Sequence, residues 1–247
     1  MSWLSEGATS VLWNIVGGAI TVGLFAAYER GRNILTGRAY RAVFGDDVRG
    51  DDFHLIYGLL SLKSLEPHDS HPYRKTGLPG VGFSIENPIS SCELRAAKYL
   101  SESIAKNRFS TPRMVADLDL YSKINLSYVA FGGPLSNSKT RDALACDSSL
   151  VVIDGQQFRV KSTSAVALAI EPGFDYGLIQ KTHPPQFPDR TWLVCAGLGE
   201  WGSSGSAWYL ANKWKDIHAF AQEADFAIIV KVRPGQDEYA EVVFRLC

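Results

Sequence analysis

The sequence predicts an α/β protein in which a Rossmann-like sheet domain follows one N-terminal transmembrane helix. Three observations lead to this fold class. About 19 residues near the N-terminus, 10–28, carry no charge. Two later segments, 126–144 and 192–214, each read as an apolar strand, a glycine-rich loop and a helix start. Apolar runs of strand length alternate with helical patterns over the remaining chain, as in sheets covered by helices.

The size, the charge balance and the cysteine spacing of the chain argue against several classes of function. The chain has 247 residues, enough to bury a sizeable core, and 25 basic against 26 acidic residues. A net charge of -1 argues against a generally basic nucleic-acid surface, so no nucleic-acid partner is expected. The cysteines lack C-x-x-C or Cys/His metal spacing and predict free thiols in a reducing compartment. They are Cys92, Cys146, Cys195 and Cys247.

The uncharged stretch at 10–28, SVLWNIVGGAITVGLFAAY, has nearly the length that a helix needs to cross a bilayer. Its flanks are asymmetric, because only Glu6 precedes it and several arginines follow it. The positive-inside rule therefore predicts a single-pass protein of the inner (cell) membrane with a cytoplasmic C-terminal domain. A buried core helix of a soluble protein is the alternative. The arginines are Arg30, Arg32, Arg38 and Arg41.

Small residues recur at every fourth position of this stretch, at Ala19, Gly23 and Ala27. Such spacing lets the backbones of membrane helices approach closely, so we expect a homo-oligomer.

The expected organisation has three parts. Residues 1–29 form the transmembrane region, 30–50 a juxtamembrane connector and 51–247 the cytosolic Rossmann-like α/β domain.

The first elements of the domain are a buried strand at 53–60 and a helix that begins at Ser90. Ser90 and Glu93 have capping-box spacing, and Asn107 closes the helix. A short helical segment is expected at 114–124.

The segment FGGPLSNSKTRDAL follows a predicted strand and begins a predicted helix. Its glycines and the amides beyond them favour close approach of a ligand, and its polar and basic side chains add contacts. The alternative is a βα turn that merely requires glycine. The candidate ligand-binding residues here are Gly132, Gly133, Asn137, Lys139, Thr140 and Arg141.

The second loop, in WLVCAGLGEWGSSGSAWYL, has glycines at 197, 199, 202 and 205 before an expected helix at 206–214. Three of them match G-x-G-x-x-G, a weak signal without its usual βαβ context. A following helix offers unpaired N–H groups to an anion such as phosphate. Trp201 is a candidate for stacking on a base. The candidate ligand-binding residues are Gly199, Glu200, Trp201, Gly202, Ser203 and Ser204.

Further strands are expected at 150–153, 157–160, 166–170 and 176–180, and a hairpin at the C-terminus. His68, Asp69 and His71 lie close together, but the spacing of the sequence places no further ligand beside them, so a polar loop is the favoured interpretation and no metal or cofactor is expected.

The features GGPLSNSKT, FDYGLIQK and PDRTWLVCAGLGEWGSSGSAWYL together resemble a Rossmann-like domain family of uncharacterised prokaryotic proteins. The arrangement behind one membrane helix is similar to that of membrane-anchored nucleotide-sensing effectors of antiviral defence. That resemblance implies a sensor whose domain binds a nucleotide-like second messenger and signals by oligomerisation at the membrane.

Two other functions stay open. A membrane-tethered enzyme that cleaves a nucleotide or NAD would need a carboxylate near the ribose, for which Glu200, Asp175 and Glu171 are candidates. None of them stands in a recognisable catalytic motif, so no catalytic residue is assigned. The third function is a membrane-bound scaffold whose glycine loops only shape turns.

Overall fold

A computed structural model describes residues 3–59 and 89–247, with side chains described from residue 21 onward. The protein is built on a mixed sheet flanked by helices on both faces, together with a separate two-stranded hairpin. The elements are α1 (Trp3–Phe44), β1 (Phe53–Tyr57), α2 (Ser91–Lys106), β2 (Arg113–Ala116), β3 (Ser127–Phe131), α3 (Ser138–Ala145), β4 (Val151–Asp154), β5 (Gln157–Val160), β6 (Asp175–Thr182), β7 (Trp192–Gly197), α4 (Glu200–Ala221), β8 (Phe226–Val232) and β9 (Glu241–Leu246).

The main sheet has seven strands in the order β2-β1-β3-β7-β6-β8-β9. Strands β2, β1, β3 and β7 run parallel to one another. Strand β6 runs antiparallel to both of its neighbours, and β9 runs antiparallel to β8. The expectation of a Rossmann-like α/β sheet is therefore confirmed in its coarse form.

The two faces of the sheet carry separate cores because side chains alternate along each strand. On β3, Val129 and Phe131 face the side covered by α1, α2 and α4. Tyr128 and Ala130 face the other side, which α3 covers. A third cluster packs the β4–β5 hairpin against β6 and β8.

The end of α1 belongs to the core of this sheet. Tyr40 and Phe44 are fully buried, and their rings stack with centroids 4.3 Å apart. Tyr40 also lies edge-on against Trp214 of α4, at 5.0 Å between centroids. Residues 30–44 of the stretch expected to be a connector thus continue α1, and the end of that helix packs on the domain.

Residues 10–20 of the predicted membrane span lie outside the part whose side chains are described. Within the described part, no helix combines the length and the apolar character needed to cross a bilayer.

Helix α4 begins at Glu200, not at residue 206 as predicted. Its first glycines lie inside the helix, where they allow close packing on the sheet, and do not form a loop. A Cβ at Gly202 would collide with the carbonyl oxygen of Tyr176, and one at Gly205 would meet Val232 at 3.0 Å. Glycine at these positions lets the helix lie directly on β6 and β8.

Two other predicted elements differ. Most of the segment expected to be helical at 114–124 forms β2 and a 3-10 turn, Asp117–Leu120. The strand expected at 166–170 is reduced to one bridge, between Arg159 and Val166, because these residues lie beside the hairpin and not in the main sheet.

Candidate functional site

A crevice of about 390 Å³ lies at the carboxyl ends of β3 and β7. After β3 the chain passes to α3 on one face of the sheet, and after β7 it passes to α4 on the other. Neighbouring parallel strands whose connections leave in opposite directions open a cleft, and open α/β sheets bind ligands there. Both glycine-containing loops line it, together with the start of α2 and the β4–β5 turn.

The β3–α3 loop enters the crevice through Gly132 and Gly133. Gly132 has φ of 86°, which favours glycine, and a Cβ there would collide with Glu93 Oε1. The backbone of this loop therefore lies directly against the side chain of Glu93.

The polar residues after this loop serve the protein's own structure. Asn137 caps α3 by accepting from the backbone N–H of Lys139 at 2.9 Å, and its Nδ2 donates to the carbonyls of Ile56 and Phe131. Lys139 is 1% exposed and its Nζ donates to Asp142. These contacts join β1, β3 and α3.

Two further residues of the predicted set also lie away from the crevice. Thr140 is fully buried, and its hydroxyl has no hydrogen-bond partner among the described residues. Arg141 is exposed on α3. Neither they nor Asn137 and Lys139 line the crevice.

The N-terminus of α4, the predicted anion site, is occupied by a carboxylate of the chain itself. Asp175, at the start of β6, accepts hydrogen bonds from the N–H of Gly199 at 2.9 Å and of Gly202 at 2.7 Å. Ser203 Oγ accepts from the N–H of Gly197 at 2.9 Å. Three N–H groups at the predicted phosphate site, those of Gly197, Gly199 and Gly202, are therefore satisfied internally.

Trp201 and Ser204 belong to a network behind the crevice. The guanidinium of Arg95 lies over the Trp201 ring, 4.1 Å from its centroid, and donates to Ser204 Oγ at 3.2 Å. Ser204 is fully buried and donates to Asp237 at 2.7 Å. This network connects α2, α4 and the turn before β9, and neither Trp201 nor Ser204 lines the crevice.

Glu93 is a residue of the crevice that the sequence did not predict. It is 4% exposed and lines the crevice, where its Oε2 accepts from the N–H of Gly58 at 2.8 Å. Ser90 caps α2 through the N–H of Cys92, and the side chain of Glu93 binds Gly58 instead of Ser90, so the predicted capping box does not form. Burial raises the pKa of Glu93 to about 7, against the hydrogen bond from Gly58 and aided by the negative charges of Asp117 and Glu200.

Glu200 supplies the second carboxylate of the crevice. Its Oε2 lies 3.7 Å from the Cys92 sulfur, and burial is the main cause that raises the pKa of this thiol. Within the described chain the crevice lining includes these two carboxylates and no lysine, arginine or histidine. It is therefore an acidic cleft.

The mouth of the crevice is apolar. Leu135 is fully exposed there, beside Pro134 on the same loop. Ile153 of the hairpin and Leu198 of the β7–α4 loop also contribute to the lining. Exposed apolar side chains at a cleft favour a ligand with an apolar surface.

The other residues considered from the sequence lie elsewhere. Glu171 is exposed and pairs with Lys231 at 3.4 Å, outside the crevice lining. His68, Asp69 and His71 lie outside the described residues.

Searches of the chain against protein-family models and against curated proteins find no match. The family resemblance stays a prediction.

Proposed function

We propose that the crevice binds a nucleotide-like ligand and that α4 transmits its occupancy to α1, so that the protein acts as a ligand sensor at a membrane. The course of α4 carries this proposal. Glu200 and Ser203, near its start, line the crevice, whereas Trp214 of the same helix contacts Tyr40 of α1. One helix therefore touches both the ligand site and the element that leaves the domain.

A kink in α4 lies between these two contacts. Lys213 has φ of -115° and ψ of 18°, outside the helical range, directly before Trp214. A kink is a point at which two parts of a helix can change their relative direction. Movement of the N-terminal part on ligand binding would thus alter how Trp214 packs against Tyr40.

Exposed apolar side chains on α1 support association with a membrane. Val22, Leu24, Phe25 and Tyr28 are each between 65% and 70% exposed. Successive helix positions differ by about 100°, so these residues, with Ala26 and Ala27, point to all sides of the helix. A helix that is apolar on every side suits a lipid environment, and the predicted span at 10–28 includes these residues.

The basic residues after this stretch suggest its orientation. Arg30, Arg32, Arg38 and Arg41 follow the apolar residues, and by the positive-inside rule this asymmetry supports a cytoplasmic position for the sheet domain. The spacing of Ala19, Gly23 and Ala27 favours assembly of several copies through α1.

The full chain in lipid nanodiscs tests the sensor. Thermal unfolding and light scattering would be recorded with nucleotides, cyclic oligonucleotides and NAD derivatives, together with their nucleosides. A ligand at about 100 times its Kd should stabilise the fold by about 2.7 kcal/mol and change the oligomeric state.

Two variants separate binding from transmission. Glu200→Gln should weaken ligand binding, whereas Trp214→Phe should keep the thermal shift and reduce the change of oligomeric state. Glu171→Gln, on the surface outside the crevice, is the control. Binding without any change of oligomeric state would argue against a sensor. The absence of a thermal shift with every compound tested would argue against the ligand site.

A second candidate function, cleavage of an N-glycosidic bond, is favoured by the pairing of Glu93 and Glu200 in one cleft. Protonated Glu93 would give its proton to the base nitrogen as the C1′–N bond breaks and its electrons pass to the base. Ionised Glu200 would stabilise the positive charge at C1′ and accept a proton from the attacking water. The products are a free base and a sugar with a C1′ hydroxyl group.

Product analysis of the same ligand mixtures tests this reaction. Glu93→Gln and Glu200→Gln should each lower the rate by about 100-fold or more, and Glu171→Gln should leave it unchanged. Intact ligand after prolonged incubation with saturating protein would exclude the reaction and leave the sensor.

A further inference from the structure

We infer that the ligand presents an uncharged, hydroxyl-bearing part such as a ribose to Glu93 and Glu200, rests an apolar ring on the mouth of the crevice and keeps any phosphate outside. The inference rests on the proposed function, because it concerns how a nucleotide-like molecule is held. It identifies the nucleoside part as the part that is recognised.

The charge of the crevice lining favours an uncharged part of the ligand. The described lining includes the carboxyl groups of Glu93 and Glu200 and no cationic side chain. The guanidinium of Arg95, which donates to the sulfur of Cys92 at 3.2 Å, lies over Trp201 and pairs with Asp237 at 3.2 Å. Among the described lining residues a phosphate would therefore meet carboxyl groups, while the charge of the neighbouring Arg95 is already paired with Asp237.

Helix α4, which begins beside the crevice, already has a carboxylate of the protein at its N-terminus. Its N-terminal donors Gly199 and Gly202 bind the carboxylate of Asp175. Phosphate sites at helix N-termini depend on such N–H groups being free. A carboxylate of the protein thus stands where the ligand's phosphate would bind.

Helix α3 repeats this arrangement. The N–H of Ser138 donates to Asp117 at 2.8 Å, and the N–H groups of Lys139 and Thr140 donate to Asn137 Oδ1. Asp117 is 4% exposed and comes from the turn after β2. At the start of both helices that follow the glycine-containing loops, a carboxylate of the protein therefore already accepts at least one backbone N–H.

The carboxyl groups of the crevice need hydrogen-bond donors. Among the described residues only the N–H of Gly58 donates to Glu93, through Oε2, which leaves Oε1 beside Gly132 available. Ribose hydroxyls are donors that match such acceptors. Leu135, Ile153 and Leu198 at the mouth offer apolar surface for a base.

Calorimetric titration of the full chain with matched compounds tests the inference. For each base, the nucleoside, its monophosphate and its triphosphate are compared, and pyrophosphate is the phosphate-only probe. We expect the nucleoside to bind within about threefold of its nucleotides, and we expect pyrophosphate not to compete. Binding should also change little with salt, because the recognised part carries no charge.

Variants at the acidic residues complete the test. Glu93→Gln and Glu200→Gln should each weaken nucleoside binding about tenfold, while Glu171→Gln should not. A nucleotide that binds at least about tenfold more tightly than its nucleoside, or displacement by pyrophosphate, would overturn this inference and leave the proposed function standing. Failure of every nucleoside and nucleotide to bind would overturn both.

Discussion

The carboxylate of Asp175 accepts a hydrogen bond of 2.7 Å from the backbone N–H of Gly202. Removing this carboxylate should both lower the stability of α4 and free its N-terminal N–H groups to bind an anion. We expect Asp175→Ala to lower the free energy of unfolding by about 1–2 kcal/mol, because the first turn loses a charged cap. Phosphate should then raise the Tm of the variant and leave that of the wild type unchanged.

Thermal unfolding with increasing phosphate checks this prediction, with Glu171→Ala as the control. Equal stabilisation of the variant and the wild type by phosphate would mean that the helix N-terminus does not bind the anion.

Glu93 should make stability depend on pH. Its pKa is raised from 4.5 to about 7 in the folded protein. The folded state therefore holds this proton more tightly, and the stability it contributes is present below pH 4.5 and lost as pH rises through about 7. Glu93→Gln should thus gain about 2–3 kcal/mol relative to the wild type between about pH 5 and about pH 8.

Urea unfolding across this pH range measures the difference. Glu102→Gln, on the same helix at a side chain that is 65% exposed, should show no such trend. A constant difference between Glu93→Gln and the wild type would show that Glu93 is ionised throughout.

The contact of α1 with the sheet domain should be essential for stability. Tyr40 is fully buried between Phe44, Phe109 and Trp214. We expect Tyr40→Ala to cost about 3–5 kcal/mol, because a large cavity opens in the core. Ile34→Ala, at a residue of α1 that is 63% exposed, should change stability by no more than about 0.5 kcal/mol.

Truncation gives an independent check of this contact. A fragment of residues 36–247 retains Tyr40, whereas a fragment of 51–247 lacks it. The longer fragment should unfold at the higher urea concentration, and equal midpoints would argue that α1 is not part of the folding unit.

Gly202 should not tolerate a side chain. A Cβ there would collide with the carbonyl oxygen of Tyr176, whereas one at Gly37 of α1 would meet no atom within 4 Å. We expect Gly202→Ala to destabilise the protein by about 3 kcal/mol through overpacking. Gly37→Ala should stabilise it by about 0.5–1 kcal/mol, because alanine is the better helix former. Thermal unfolding followed by circular dichroism measures the stability of both variants. An unchanged stability of Gly202→Ala would contradict the close helix–strand contact.

Local sequence signals were sufficient to predict the framework of the fold. The apolar runs that form β3 and β7 end at glycines, and the two loops line one crevice because the carboxyl ends of neighbouring parallel strands share an edge. Helix α2 lies where its capping residues Ser90 and Asn107 predicted it.

The charges at the crevice depend on contacts that local patterns do not report. Glu93 fitted a capping box, yet its partner Gly58 lies 35 residues away. Asp175 reaches α4 across 24 residues, and Asp117 reaches α3 across 21. The start of α4 also depends on a distant contact, because glycine is required at position 202 by strand β6, which packs against it.

The reversed direction of β6 has a chemical consequence for the whole cleft. Because β6 runs antiparallel to β7, its first residue, Asp175, lies at the edge where β7 ends. A parallel strand in this position would bring its last residue to that edge and leave its first at the opposite one. The direction of a single strand thus brings a carboxylate of the protein to the N-terminus of α4, where its N–H groups would otherwise face solvent or a bound anion.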